Sequence, residues 1–261
     1  MSDIHPTAII EDGARIGQDC RIGPFCVVGP EVVLGDRVHL KSHVVVTGNT
    51  RIGDDTVVFP FSTLGEIPQD LKFKGEKTRT EIGRRNRIRE CVTVNAGTEG
   101  GGGVTRIGDD CLLMACTHVA HDVLIGNRVI LVNSSGVAGH VIVEDDVIIG
   151  GLSGVHQFVR IGRGAIIGAL SKVTRDVIPF GLVQGDEGRL DGLNLVGLKR
   201  RNVPREEIAA LRAAYRALAE GDGSFQERAR RLGEETDSDY VRAIVDFVAG
   251  DTDRSFLTPR G

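Results

Sequence analysis

Counting in sixes from Ile4 gives Ile10, Ile16, Ile22, Val28, Leu34, Leu40, Val46, Ile52, Val58 and Leu64, all aliphatic. The phase breaks, then resumes at Ile82, Ile88 and Val94. It breaks again and runs from Ile107 through Leu113, Val119, Ile125, Leu131, Val137, Val143, Ile149, Val155, Ile161 and Ile167 to Val173. Chance does not hold 26 aliphatics in one phase. Glycine often follows the aliphatic, as in "IGQDCR", "LGDRVH" and "IGDDTV". The fifth position is small or apolar, as at Cys20, Cys26, Val38, Cys111 and Val129. An inward aliphatic, an inward small residue and a turn make one short strand and one corner. This is the hexapeptide signature of a parallel β-helix. Three hexads close a triangular coil, so residues 18 apart should stack at about 4.8 Å. The expected fold is a left-handed parallel β-helix of hexapeptide repeats over residues 1–186.

Both phase breaks read as insertions, at 70–81 ("DLKFKGEKTRTE") and 100–106 ("GGGGVTR"). Counting faces in threes puts hexads 64, 94 and 119 on one face, so both insertions leave the prism at the same corner. A coil tolerates an insertion only at a corner. Two stacked insertions suggest a built site.

The phase ends after Pro179. The stretch "NVPREEIAALRAAYRALAEG" then has Pro204 near a helix start and acids in the first turn. Ser224 and Glu227 form a capping-box pattern, and "DYVRAIVDFVAG" ends at Gly250. These predict a C-terminal helical domain over residues 187–261.

Composition closes several classes. A net charge of −4 gives no basic field for nucleic acid. No run approaches the roughly 18 apolar residues of a membrane helix, and "MSDIHPTAII" shows no secretory signal. Five cysteines without a CxxC pair suggest reduced thiols and a cytoplasmic protein.

The histidines are distributed by register. Hexads 119, 137 and 155 share a face and read "VAHDVL", "VAGHVI" and "VHQFVR". His121 then stacks under Gly139 and Gln157, and Asp122 under His140. His156 lies one position back, and His118 ends the preceding hexad. Corner histidines can be solvated decoration, but this patch lies beside both insertions. Three histidines could also hold zinc. Asp122 beside His121 suits a base and its orienting carboxylate, and Gly139 leaves a backbone N–H free for an oxyanion. That combination fits acyl transfer to a hydroxyl, in which the acceptor itself is the nucleophile.

At these residues the chain resembles a known family, the acyl-[acyl-carrier-protein]–UDP-N-acetylglucosamine O-acyltransferases that open lipid A synthesis. The resemblance spans essentially the whole chain. It is carried by "IHPTAI", "LKSHVVV", "PQDLKF", "RIRECVTVNAGT", "LLMACTHVAHD", "GVAGHV", "VHQF" and "NLVGLKRR". It implies that His121 is the general base, that Asp122 orients it and that the Gly139 N–H meets the oxyanion. It implies that His118, His140, His156 and Gln157 bind sugar and diphosphate, that Asp70 holds the sugar or acyl chain, and that Asn194, Arg200 and Arg201 contact the nucleotide. The donor is an (R)-3-hydroxyacyl chain on the phosphopantetheine of acyl carrier protein, with no other cofactor and no metal. The active form is a homotrimer with clefts between neighbouring prisms.

Two positions depart from the family pattern. Val196 stands where family members carry an acid. Ala169 stands where a glycine admits long chains, which implies a donor shorter than fourteen carbons, about ten. The basic run "LKRR" (Lys199, Arg200, Arg201) is the preferred binding cluster, while "GRRNRIRE" (Arg84, Arg85, Arg87, Arg89) stays undecided. The competing enzyme reading is a related acyl- or acetyltransferase on another UDP-sugar, including one with a 3-amino acceptor. The non-enzyme reading is a β-helix scaffold.

Overall fold

The structure, a computed structural model, describes residues 2–252 and 254–259. Its strands are mostly two residues long, and three parallel sheets stack them in register. Face A runs from Asp3–Ile4 to Ile166–Ile167 and ends in a hairpin. Face B runs from Ile9–Ile10 to Lys172–Val173, and face C from Arg15–Ile16 to Arg160–Ile161. Within an unbroken stretch the Cα partners are 18 apart, as Ile4↔Ile22 and Val119↔Val137. The coil is a left-handed parallel β-helix.

Beyond the first coil, a hexad typically buries two side chains. From Ile22 onward the in-phase aliphatics are all buried, as are the fifth-position residues Cys20, Cys26, Val38 and Val44. The residue between them turns the corner with positive φ, as at Phe25 (59°), His43 (57°) and Leu170 (61°). A left-handed non-glycine residue costs about 1–2 kcal/mol. Burying an aliphatic side chain returns about 1.5–3 kcal/mol. The hexad therefore tolerates a strained corner, and the residue placed there can be chosen for its chemistry.

The "IG" glycines are required by close approach. A Cβ on Gly17 would lie 2.4 Å from the Gly35 carbonyl oxygen one coil on. Beside them, acids and an amide cap the neighbouring coil: Gln18 N–H donates to Asp36 Oδ1, Asp36 N–H to Asp54 Oδ1, Asn127 N–H to Asp145 Oδ1, and Asp109 N–H to Asn127 Oδ1. Arg37–Asp55, Arg85–Asp110 and Arg128–Asp146 pair alongside.

Both insertions leave at the corner between faces B and C, and the strands re-enter in register. Leu64 pairs with Val94, and Val94 with Val119. The expected bounds need correction. Arg79–Ile82 and Val104–Ile107 are strands of face C, so the excursions lie at 67–78 and 96–103. Residues 79–81 and 104–106 fall outside the hexad phase but extend the sheet backward by pairing with Asn49–Ile52 and with each other.

The expected boundary at 187 also shifts. Gly181–Gln184 pairs antiparallel with Arg189–Leu193, so residue 187 lies inside a hairpin turn. Gly185 and Gly188, both at positive φ, make that turn. Helices follow: α1 (Leu195–Arg200), α2 (Arg205–Ala219), α3 (Phe225–Glu235) and α4 (Asp239–Ala249). Pro204 is the N-cap of α2, and the Ser224–Glu227 capping box is formed. Gly250 ends α4 in extended rather than left-handed backbone. Helix α1 was not expected, because its six residues carry no signal beyond the Asn194 cap. Helix α2 buries Ile208, Leu211, Ala214 and Leu218, the helical spacing of its apolar face. No helix among the described residues is long and apolar enough to cross a membrane.

Candidate active site

The corner between faces B and C carries Asp122, His140 and Phe158 on consecutive coils, all at positive φ (59°, 62° and 64°). His121 precedes the first of them. Its Nδ1 lies 2.8 Å from Asp122 Oδ2, and the Asp122 side chain is fully buried. A carboxylate only accepts, so Nδ1 donates and the Nε2 lone pair is left free. That is the tautomer a general base needs.

Asp122 is held from three sides. Thr98 donates to it twice, from its N–H to Oδ1 (2.8 Å) and from its Oγ1 to Oδ2 (2.6 Å). The Asp122 N–H donates to Thr105 Oγ1 at 2.8 Å. Thr98 lies within the second excursion, and Thr105 is in the strand that follows it. A Cβ on Gly101, in the same loop, would lie 2.1 Å from the Asp122 carboxyl carbon. The loop thus folds directly over the carboxylate and needs a glycine to do so. Neither threonine stands out in sequence, although Thr98 ends the stretch "NAGT".

Gly139 lies over the imidazole. A Cβ there would sit 2.6 Å from His121 Cε1 and 2.8 Å from Nε2. The amides on either side are committed, Ala138 to the Val155 carbonyl and His140 to the His121 carbonyl. Among the described residues the Gly139 N–H has no backbone acceptor, and the residue is buried. A free N–H beside the Nε2 of a base is an oxyanion donor in waiting.

The other histidines surround this pair. His140 meets the His121 ring edge-on at 5.0 Å and stacks flat on Phe158 at 4.5 Å. Burial pushes the His140 imidazole below its ordinary range. Asp122 and Asp70 pull it back up, and His121 pushes it down further. Asp70 therefore lies within electrostatic reach, although its Oδ1 also accepts from the Lys72 N–H. His118 Nδ1 lies 2.8 Å from Thr93 Oγ1, and burial, with His121 adding to it, lowers its pKa. His156 and Gln157 are exposed at the next coil. A cleft of about 360 Å³ opens here, lined by Gly100, Gly101, His140, Phe158 and Thr252 among others. Phe158 was not singled out from "VHQF", because its role comes from stacking two coils deep.

His121, Asp122 and His140 also present ligand-type atoms within 4.8 Å of one another. Neighbouring ligands on a tetrahedral zinc are about 3.3 Å apart. The 2.8 Å His121–Asp122 contact is shorter than that and is a hydrogen bond in length. The Asp122 oxygens are moreover taken up by Thr98. The donor set thus fits a base and its orienter better than a metal.

The remaining expected residues lie elsewhere on this chain. Asn194 is buried, caps α1 by accepting from the Gly197 N–H, and donates to the Gly164 carbonyl. Arg200 and Arg201 end α1, which rests against the corner between faces C and A. Val196 is exposed on the same helix. Ala169 is exposed at the third corner, between faces A and B. One prism therefore spreads the expected site over three corners. In the first basic cluster, Arg84 and Arg85 pair with Asp109 and Asp110, and Arg89 with Glu90, which neutralises much of its charge. Cys20, Cys26 and Cys111 are buried, and burial pushes the Cys111 thiol up to about 11. None of these three is a nucleophile.

A hexapeptide coil with a carboxylate-oriented histidine at an inserted corner defines a hexapeptide-repeat acyltransferase. Profiles for bacterial transferase hexapeptide repeats match residues 13–48 and 105–139, and one for the hexapeptide repeat of succinyl-transferase matches 140–174. A further profile, described as UDP N-acetylglucosamine O-acyltransferase domain 2, matches residues 176–257. The chain is 56% identical to the acyl-[acyl-carrier-protein]–UDP-N-acetylglucosamine O-acyltransferase of Caulobacter vibrioides, over 98% of each chain. It is 68% identical to the Paracoccus denitrificans enzyme of the same name, over 78% of this chain and 77% of that one. A crystal structure of a UDP-N-acetylglucosamine acyltransferase superposes with a TM-score of 0.96 at 41% identity, covering 100% of both chains. The chain belongs to the acyl-[acyl-carrier-protein]–UDP-N-acetylglucosamine O-acyltransferase family.

Proposed function

We propose that this chain transfers an (R)-3-hydroxyacyl group from acyl carrier protein to the 3-hydroxyl of UDP-N-acetylglucosamine, the opening step of lipid A synthesis, with His121 as general base. The reading is carried by the 2.8 Å His121–Asp122 bond and the free Gly139 N–H beside it. His121 Nε2 takes the proton of the sugar hydroxyl, and the oxygen attacks the thioester carbonyl. Negative charge gathers on that carbonyl oxygen, where the Gly139 N–H meets it. Asp122 stabilises the imidazolium. Collapse breaks the C–S bond, and the proton passes from His121 to the departing phosphopantetheine thiolate. No metal and no further cofactor enters these steps.

The active form is a homotrimer. In support, Asn194, Arg200 and Arg201 lie at a different corner from His121, and Ala169 at a third, so one chain does not assemble the set. The corner between faces A and B also exposes a ladder of residues that includes the large apolar Phe25, Phe61, Leu152 and Leu170. A neighbouring prism on that ladder would remove it from water. His118, His140, His156, Gln157 and Asp70 bind the sugar and its phosphates, and Arg200 and Arg201 of a neighbour reach the nucleotide. Val196 makes no polar contact there. Ala169 narrows the acyl groove and favours a donor of about ten carbons rather than fourteen. The enzyme works in the cytoplasm, where acyl carrier protein is found. The test is turnover of UDP-N-acetylglucosamine and its 3-amino analogue with a panel of 3-hydroxyacyl carrier-protein donors. Ester formation supports the reading. Activity with the amino sugar alone overturns the acceptor assignment.

A further inference from the structure

The C-terminal tail returns to the catalytic corner after α4. Asp176, fully buried, organises the return. Its carboxylate accepts from the Arg160 N–H and Nε at 2.8 Å each and from Thr252 Oγ1 at 2.6 Å. Its backbone bridges the tail, with the Asp176 N–H donating to the Ser255 carbonyl and the Leu257 N–H to the Asp176 carbonyl. Phe256 is buried against Phe225 and Phe247 at 5.5 and 6.3 Å. Arg160 stacks on Phe247 at 4.4 Å and donates to its carbonyl. Backbone, ion pair and aromatic packing together fix where residue 254 can point.

Arg254 points back at the site. Its Nε donates to the Gln157 carbonyl at 3.1 Å, and its Nη2 lies 2.9 Å from His156 Nδ1. A guanidinium has five donors and no acceptor. His156 Nδ1 must therefore accept, and the ring proton is on Nε2. The same Nδ1 approaches the Gln157 carbonyl at 3.4 Å, a contact that would need the opposite tautomer. The guanidinium bond is shorter and charge-assisted, and that carbonyl is already served by Arg254, so the Nε2–H form wins.

We propose that the tail is a working part of the substrate site, with Arg254 as a positioning residue that locks His156 as an Nε2–H donor. His156 then offers a hydrogen bond of fixed polarity to an acceptor oxygen of the sugar nucleotide, a phosphate or a hydroxyl. An unheld imidazole would present that donor only part of the time. Arg254 also holds the Gln157 backbone, so the two exposed residues move as one unit with the tail. The inference rests on the proposed function for the identity of the ligand, whereas the tautomer lock stands on geometry alone.

The test uses the full-length enzyme labelled with 15N-histidine. In the wild type, His156 shows an unprotonated Nδ1 and a protonated Nε2. In Arg254→Ala that fixed pattern is lost, KM for UDP-N-acetylglucosamine rises about tenfold, as for a lost hydrogen bond to a charged group, and kcat changes less. Arg254→Lys recovers part of the KM, because it retains a donor without the fork. In a His156→Ala background, Arg254→Ala adds nothing further. A protonated Nδ1 in the wild type, an unchanged KM in Arg254→Ala, or additive losses in the double variant each overturns the lock. If the wild type turns over no UDP-sugar, the proposed function fails, and the NMR spectra still decide the tautomer.

Discussion

The Thr98 hydroxyl and the Asp122 carboxylate are 2.6 Å apart, and Thr98 belongs to the excursion at 96–103 rather than to the coil. The second insertion is therefore the clamp on the orienting acid. With the Thr98 N–H on the other oxygen, both carboxylate oxygens are placed. Thr98→Val removes the hydroxyl bond and keeps the shape. We expect kcat to fall about ten- to a hundredfold, as for a lost charge-assisted bond, with KM little changed. Asp122→Asn should cost on the order of 10²–10⁴ in kcat, because an amide can turn the imidazole to the wrong tautomer. Steady-state kinetics on both variants checks this; wild-type kcat in Asp122→Asn would remove the orienter from the account.

Gly139 has no room for a side chain. Gly139→Ala should place a methyl about 2.6 Å from the His121 ring before any relaxation. The expected result is loss of most activity with a fold cost of about 1–3 kcal/mol. Calorimetry and kcat read the two effects separately. Full activity in the variant would mean that the ring does not work from this position.

The chain-length prediction turns on Ala169. Ala169→Gly should shift preference toward the fourteen-carbon donor. The scale is about 1–3 kcal/mol, or roughly 10–200-fold in kcat/KM for the longer chain relative to the shorter. Competition assays with ten- and fourteen-carbon donors measure the ratio. A wild type that already prefers fourteen carbons sinks the proposal.

Acid should destabilise the fold through two half-buried histidines. His118 and His140 are both held below the ordinary imidazole value, mainly by burial. In the folded state they resist protonation, while in the unfolded chain they take up protons near pH 6.5. Their contribution is therefore fully present above that pH and is lost progressively as pH falls from about 6.5 toward their lowered folded values. His118→Gln should flatten part of the fall. Urea midpoints from pH 8 to 5 measure it, and parallel profiles for variant and wild type would contradict it.

The apolar corner predicts assembly. Leu152→Glu combined with Leu170→Glu should convert a sedimenting trimer to a monomer and abolish turnover. A wild type that is monomeric and fully active would refute the shared cleft.

Most of the coil was legible because its period is rigid. A single phase of Ile, Leu and Val fixed three faces, and with them the vertical neighbours His121–Gly139 and Asp122–His140. Residues outside that period could not be placed this way. Thr98 contacts Asp122 across 24 positions from a glycine-rich loop with no repeat. Arg254 reaches His156 across 98 positions from the tail. The strands at 79–81 and 104–106 were read as loop because they extend the sheet beyond the hexad. Asn194, expected at the nucleotide, also caps α1 and anchors to Gly164 with its side chain. That contact needs the helical domain in place before it can be seen.

The central claim is that His121 is the base. The most direct measurement is single-turnover acyl transfer from a 3-hydroxyacyl carrier protein to UDP-N-acetylglucosamine by wild type and His121→Ala at equal folded concentration. The account predicts a loss of at least two orders of magnitude in the chemical step, with UDP-sugar binding retained. Transfer at the wild-type rate in His121→Ala would contradict it.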